Sequence, residues 1–302
     1  MAFAFFEQLS TFFILGVMGY LLRKFNILHK ETSRDLSRFL VIVVLPILIV
    51  DSLLRPYDPQ EAKEIAMICI FSLIIQLIFI AVAFLLFDAD HTVERFAVSF
   101  GNKGFVGVPL VMAILGEKAV FYVAPAIMIS NVIIRAYGDV IIGEKGKKHS
   151  LWDLFKNPAT LGFFFGLFFY LLPIPIPSVL KKSVQSIVSF NSPLAMILLG
   201  TFVADAPLQN LFTDSMAWAA SAVRLLLLPM IVIGALKLFP FGPRIFQLSM
   251  VIAWGCPAAV NTMLQASISD KNPYHASQVV VSSTLASVFT LPFMYWIATQ
   301  IL

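Results

Sequence analysis

Charge is what this sequence lacks: Asp, Glu, Lys and Arg together make up 13% of its 302 residues, while 59% are hydrophobic and the mean hydropathy is +0.90. A soluble domain holds about 25% charged residues, so a water-solvated globule is excluded and the bilayer is the solvent to reason with. Cysteine is almost absent too. Cys69 and Cys256 both fall in apolar runs, which excludes a disulfide framework and a CxxC metal site. The four histidines (His29, His91, His149, His275) fall in expected loops and form neither HExxH nor a facing-helix pair, so an intramembrane metalloprotease is not indicated. No GxxxxGK[ST] is present. Glu144-Lys145-Gly146-Lys147-Lys148 is only glycine and lysine rich, and ATP-driven transport by this chain alone has no support. Ser282 and Ser283 have no His or Asp nearby to activate them and suit helix packing. No metal, cofactor or catalytic residue is therefore expected.

What is present is a series of solid apolar runs such as Ile65 to Phe87, without the alternation a membrane barrel strand requires. The fold class is an all-α polytopic membrane protein. Ten spans are expected near Phe5–Leu22, Leu36–Leu54, Ile65–Phe87, Val93–Leu115 and Val120–Ile142, then Pro158–Leu172, Val184–Ala204, Leu211–Phe239, Phe246–Ile268 and Ala276–Ile301. This divides the chain into a five-helix repeat over 1–143, a polar linker over 144–157 and a second five-helix repeat over 158–302. The N-terminus carries Glu7 and no positive n-region, so the first segment is expected to be a retained span rather than a cleaved signal.

Lys and Arg in and beside the short loops number 11 in odd loops and 7 in even ones, mostly from Arg23 to Arg38 and from Lys145 to Lys156. Odd loops are then expected to be cytoplasmic and both termini outside, in a cell membrane. The same basic runs explain the net charge of +4 as topology setting and headgroup contact, with no nucleic-acid partner.

Gly107-Val108-Pro109 and Gly255-Cys256-Pro257 recur 148 residues apart, and Pro46 and Pro193 are 147 apart. Since each half has five spans, the second enters from the opposite side, giving a 5+5 inverted repeat. A Gly-x-Pro in mid-span should break its helix and free backbone groups. Broken helices 4 and 9 crossing at mid-depth would aim half-helix N-termini at an anion. Pro46 and Pro193 alone suit kinks.

Candidate substrate-binding residues follow from that geometry: Asn102, Lys103, Gly104, Gly107 and Pro109 in span 4, Gly255, Pro257 and Asn261 in span 9, and Asn131 reaching the same cavity from span 5. A lysine in a span costs at least about 2.5 kcal/mol on insertion scales, so Lys103 is hydrated, paired or functional. Asp51, Arg135, Asp139 and Arg224 are the other ionisable residues in or beside spans. Arg135 and Asp139, four apart on one face, suit an ion pair or a gating and coupling role. Arg224, central in span 8, either gates or docks on the carbonyls of the broken helices.

Gly101 through Leu110 (GNKGFVGVPL) resembles the first crossover motif of the auxin efflux carrier family in its short prokaryotic form, where a small or hydroxyl residue is more usual at the position of Lys103. Asn157-Pro158, Ser192-Pro193-Leu194 through Leu199-Gly200, and Pro257-Ala258-Ala259 are similar to further signatures of that family. The resemblance spans essentially the whole chain. It implies a permease working by alternating access, with spans one, two, six and seven as scaffold and the rest as a mobile unit. Its cargo would be an organic anion, a carboxylate such as malate, malonate or an auxin-like acid. Lys103 departs from the pattern, and could balance an anion or stand in for a coupling cation. A sodium-coupled bile-acid-type symporter and a non-transporting intramembrane enzyme or receptor stay open as alternatives, as do the coupling ion, the direction of transport and a homodimeric state.

The charge bias predicts that a cysteine at Lys147, in a background free of Cys69 and Cys256, is silent to an impermeant maleimide applied to intact cells and reacts after permeabilisation. Labelling from outside reverses the orientation.

Overall fold

The computed structural model describes residues 2–142, 156–172, 174–206 and 211–302. Most of the expected linker, with Lys145, Lys147, Lys148 and His149, lies outside the described residues. Twelve helices are used below: α1 Ala2–Lys24, α2 Lys30–Leu53, α3 Pro59–Leu86, α4 Thr92–Ser99, α5 Lys103–Leu115, α6 Val120–Ile141, α7 Pro158–Leu171, α8 Ser178–Asp205, α9 Ser215–Leu238, α10 Arg244–Trp254, α11 Asn261–Ile268 and α12 Pro273–Ile301. Among the described residues there is no strand, only an isolated antiparallel bridge between Gly101 and Ala258. Six helical segments are long and apolar enough to cross a membrane: α2, α3, α8, α9, α12 and Glu117–Gly138, which holds most of α6. α5, α7 and α10 are shorter apolar helices.

Local chemistry sets where these helices begin. Asp58-Pro59, Asn157-Pro158 and Asn272-Pro273 each put a capping carboxylate or amide just before a proline, and the side chains accept from Gln60 N, Ala159 N and His275 N. The cap satisfies an orphan N–H while proline, lacking its own, suits the first helical position. Asp214 caps α9 the same way through Ala217 N.

The helix exteriors are apolar. Ile70, Leu73, Ile74 and Leu77 on α3, Phe165 and Phe168 on α7, and Phe289, Phe293 and Trp296 on α12 are all exposed. Hydrocarbon, unlike water, solvates such a surface without penalty.

Packing groups the helices into two bodies that meet where α6 packs on α2 and α7. α1 lies along the second half of α8, and α2 packs on α7 and on the first half of α8. Glycines make these approaches: a Cβ at Gly19 would overlap the Ile197 carbonyl, and one at Gly200 the Gly16 carbonyl. Small residues let backbones close in where lipid offers no hydrophobic drive. The other body joins α3 to α4 and α6, α9 and α11 to α12, and α10 to α6, α9 and α12.

Three helices contain a π turn, Leu40–Val44, Lys103–Gly107 and Val223–Leu227, and each is followed after one residue by proline: Pro46, Pro109 and Pro229. In each, the residue before the proline donates to the carbonyl five positions back. The carbonyl that an α-helical proline ring would strike, four residues earlier, lies inside the widened turn, so the ring is accommodated without breaking the helix. This corrects the expectation that Gly107–Pro109 is a break. The Val108 amide bonds to the Lys103 carbonyl across that motif, and the interruption comes earlier, at Phe100–Asn102.

Gly200→Ala should force α1 and α8 apart and cost about 1–3 kcal/mol by overpacking. Gly234→Ala meets no atom within 4 Å and should stabilise α9 slightly. Thermal unfolding of both variants in detergent checks the contrast; equal melting temperatures would refute the close approach.

Candidate functional site

The two interrupted helices meet at their interruptions. α4 ends at Ser99, Phe100 is extended, and Asn102 N donates to the Pro257 carbonyl at 2.8 Å while Ala259 N donates to the Phe100 carbonyl at 3.0 Å. The second interruption runs from Gly255 to Val260, as the sequence led one to expect. Each break thus supplies partners for the polar backbone the other exposes, which answers the need for internal satisfaction at membrane depth. On the far side, Ala258 N donates to Ser283 Oγ at 3.2 Å, so Ser283 does more than pack.

Arg224 stands at this junction, 1% exposed. Its Nε donates to the Cys256 carbonyl at 2.8 Å, Nη1 to Val98 at 3.0 Å and Nη2 to Trp254 at 3.1 Å, with the guanidinium over the Phe79 ring at 5.1 Å. These carbonyls come from the C-terminal ends of α4 and α10, where the helix dipole is negative. A Cβ at Gly101 would overlap Arg224 Nη2, so only glycine lets the extended chain pass the guanidinium. Across the crossing, a Cβ at Gly107 would come within 2.9 Å of Cys256 Sγ.

Lys103 opens α5 and is 3% exposed. Its Nζ donates to Ser130 Oγ at 2.8 Å and lies 3.8 Å from the Trp254 ring centroid. Ser130 in turn donates to Gln76 Oε1 at 2.8 Å, and Gln76 Nε2 donates to the Ser99 carbonyl at 2.8 Å. Among the described residues no carboxylate lies within ion-pair distance of Lys103 or Arg224. Asn102 Oδ1 caps the Phe105 amide, while its Nδ2, like Trp254 Nε1, is buried without a partner. The N-terminus of α11 has no side-chain cap, and Thr262 Oγ1 beside it is buried and unpartnered.

The net electrostatics are therefore one-sided. Arg224 neutralises the two negative helix ends, leaving the positive N-termini of α5 and α11 and a lysine with no counter-ion. Such a place favours an anion.

Of the residues singled out from sequence, Asn102, Lys103, Gly107, Gly255, Pro257 and Arg224 come together here, and Pro109 is buried in α5 just behind. Gly104 faces the other way, its Cβ position 3.1 Å from Leu45. Asn131 is half buried and contributes none of these bonds; the neighbouring Ser130 does. Asn261 and Arg135 are exposed, and the Asp139 side chain lies outside the described residues. Gln76, Ser130 and Gly101 were missed. Gln76 had a signal: it precedes Arg224 by 148 residues, the same interval as the repeated Gly-x-Pro, and both residues hold carbonyls at the crossing.

A family model described as membrane transport protein matches residues 4–151 and 147–295. The chain is 24% identical over 296 residues to an uncharacterized transporter of Methanothermobacter thermautotrophicus, covering 95% of this chain and 96% of that one. It is 24% identical over 294 residues to a Rhizobium meliloti protein whose name proposes it as a malonate transporter, covering 93% and 91%.

Arg224→Lys keeps the charge but loses the fork, orphaning carbonyls at the crossing. At roughly 1–3 kcal/mol for each unmade buried bond, the cost should be at least about 3 kcal/mol. Gly101→Ala should be comparably harmful. Wild-type melting temperature and yield for both would mean that the clamp does not hold the crossing.

Proposed function

Since the chain belongs to the membrane transport protein family, that of the auxin efflux carriers, we propose that it is a secondary transporter moving a small organic anion across a cell membrane by alternating access. The observation that carries the anion is Lys103: a buried lysine with no carboxylate among the described side chains within ion-pair distance, next to the unpartnered Asn102 amide at the N-terminus of α5. A carboxylate supplies the missing charge and acceptors together. The malonate in the name of the Rhizobium relative points to small dicarboxylates among the candidates. A sodium site at the crossing is disfavoured, because the carbonyls that would coordinate a cation there already hold Arg224.

Ten crossings are supported by which helix ends meet. Arg23 and Asp205 pair at 2.8 Å at the ends of α1 and α8. Arg55 reaches Glu61 at 3.1 Å and the Lys118 carbonyl at 3.3 Å, Tyr170 bonds to Asp58, and Arg244 bonds to the Thr299 carbonyl. Every one of these joins ends that a ten-span path with α4–α5 and α10–α11 as single crossings puts on one side. The shared interval of 148 residues for Gly107 and Gly255, Pro109 and Pro257, and Gln76 and Arg224 supports the inverted repeat. The loop bias in Lys and Arg favours both termini outside.

The body of α1, α2, α7 and α8 would stay fixed while the other carries the crossing. A cavity of about 220 Å³ lies on the seam between them, lined by Phe12 and Gly16 of α1, Met196 of α8, Val106 and Leu110 of α5 and Leu291 of α12. Opening this seam brings solvent toward Lys103.

Lys103→Gln removes the charge and keeps length and hydrogen bonding. Malonate affinity, measured calorimetrically on the folded variant, should fall at least tenfold, or about 1.4 kcal/mol. Unchanged affinity with a lowered melting temperature would leave Lys103 structural.

A further inference from the structure

Away from the crossing, three helix starts meet at a histidine held by two carboxylates. Glu94 in the first turn of α4 puts Oε1 2.7 Å from His275 Nε2, and Asp214, the cap of α9, puts Oδ2 2.6 Å from His275 Nδ1. His275 itself lies in the first turn of α12, its amide held by Asn272. Glu94 is 3% exposed, and the Glu94 and Asp214 side chains are 4% and 18% exposed. Sequence reasoning set His275 aside as a loop residue.

The proton count follows from the geometry. A neutral imidazole has one N–H and one lone pair. With both carboxylates ionised, it would set a lone pair against a carboxylate oxygen at one of these two short contacts. Both contacts are attractive only if the cluster holds one further proton, so that each ring nitrogen donates. Loss of that proton turns one contact repulsive and leaves one carboxylate without its donor, which favours opening of the link.

The location gives this consequence. α4 runs from Glu94 to the Val98 carbonyl and the Phe100 break, about 9 Å at 1.5 Å per residue. α9 runs from Asp214 to Arg224, which donates to Val98. The two helices are therefore tied twice, by Arg224 at the crossing and by His275 at the far end, and α12 reaches α9 through Ser282 on Ser221 at 3.0 Å and the second interruption through Ser283 on Ala258. We propose that Glu94, His275 and Asp214 form a proton-binding site, and that its proton is the coupling ion: bound, it docks the starts of α4, α9 and α12; released, it frees α4 and with it the first half of the crossing.

Other charges nearby are otherwise engaged or exposed. On α4, Arg95 Nε donates to the Phe87 carbonyl and His91 bonds to Asp88. At the turn from α11 to α12, Asp270 and Lys271 are exposed. α9 brings Asp214 and, at the crossing, Arg224, its Lys237 lying in the last turn at the opposite end.

The coupling clause rests on the transporter reading, so the test has two arms. In the first, nitrogen-15 spectra of histidine-labelled full-length protein in nanodiscs are followed with pH, the His275 signal being assigned by its loss in His275→Gln. The expected result is a doubly protonated ring well above the ordinary midpoint of about 6.5, returning toward it in Glu94→Gln. An ordinary midpoint in the wild type overturns the proton site. In the second, proteoliposomes are given radiolabelled malonate. Glu94→Gln should lose at least tenfold of accumulation driven by a pH gradient while keeping malonate exchange without one; wild-type accumulation overturns coupling through this site. Asp214→Asn, which keeps the cap on Ala217, serves if Glu94→Gln does not fold. Wild-type liposomes that carry no malonate count against the transport reading and leave the proton site to stand or fall on the spectra.

Discussion

One guanidinium holds the centre of this protein together. Arg224 bonds to three carbonyls drawn from two different interrupted helices, at a depth where none of them has water to turn to. Without it, the helix ends at Val98, Trp254 and Cys256 would carry unmet acceptors and the negative ends of two dipoles. Its planar fork suits the task as a lysine would not, since three acceptors in different directions need several donors in fixed geometry. The rest is fitted to it: Gly101 has no side chain because the guanidinium fills that space, Phe79 lies under the guanidinium, and the extended Phe100 to Asn102 and Pro257 to Ala259 segments pair across the gap.

That clamp decides the sign of the site. Two interrupted helices crossing symmetrically present two negative and two positive ends, and no net preference. Once Arg224 has taken the negative ends, the positive ends of α5 and α11 are left unbalanced, and Lys103, when protonated, adds a charge beside one of them. The Trp254 face at 3.8 Å offers the ammonium partial compensation, as do Ser130 and, through it, Gln76. These stabilise the lysine without neutralising it, which is the condition a bound carboxylate can use.

Much of the architecture was legible because the bilayer imposes long apolar runs: each expected segment is helical, and segments 4 and 9 are each two helices. The exact break in segment 4 was not. A proline read alone signals a missing N–H and a steric clash, yet Pro46, Pro109 and Pro229 all follow π turns that absorb the clash. Nothing in the local sequence distinguishes that outcome from a break. Gly101, which does mark the break, needs glycine for the proximity of Arg224, more than a hundred residues away, and that is tertiary information. Gln76 and Ser130 each sit singly in apolar surroundings, where only the repeat interval could have drawn attention to the first. His275 was read as a loop residue and Glu94 and Asp214 were not singled out, because the meeting of the three depends on how α4, α9 and α12 pack.

The repeat itself is obeyed more closely in sequence than in structure. The interval of 148 that relates Gly107 to Gly255 would carry the Phe100–Asn102 break to residues 248–250, which lie inside α10. The breaks are therefore out of register, leaving a thirteen-residue α5 against an eight-residue α11. The longer half-helix extends from Lys103 into the seam with the other body, where Phe105 packs edge-on against Phe202 at 6.4 Å, Gly104 meets Leu45, and Val106 and Leu110 line the cavity. The contacts named along this stretch are apolar and non-directional, while polar ties described between the bodies include, at one end, Arg55 on Glu61 and Tyr170 on Asp58. Dispersion contacts can be exchanged for similar ones as two surfaces slide, whereas hydrogen bonds to buried groups cannot be stretched without penalty. Under the alternating-access reading proposed above, a body anchored by polar bonds at one end and by an apolar seam elsewhere would meet least resistance to rotation about the bonded end, and the half-helix that such a rotation would move is the one that begins with Lys103.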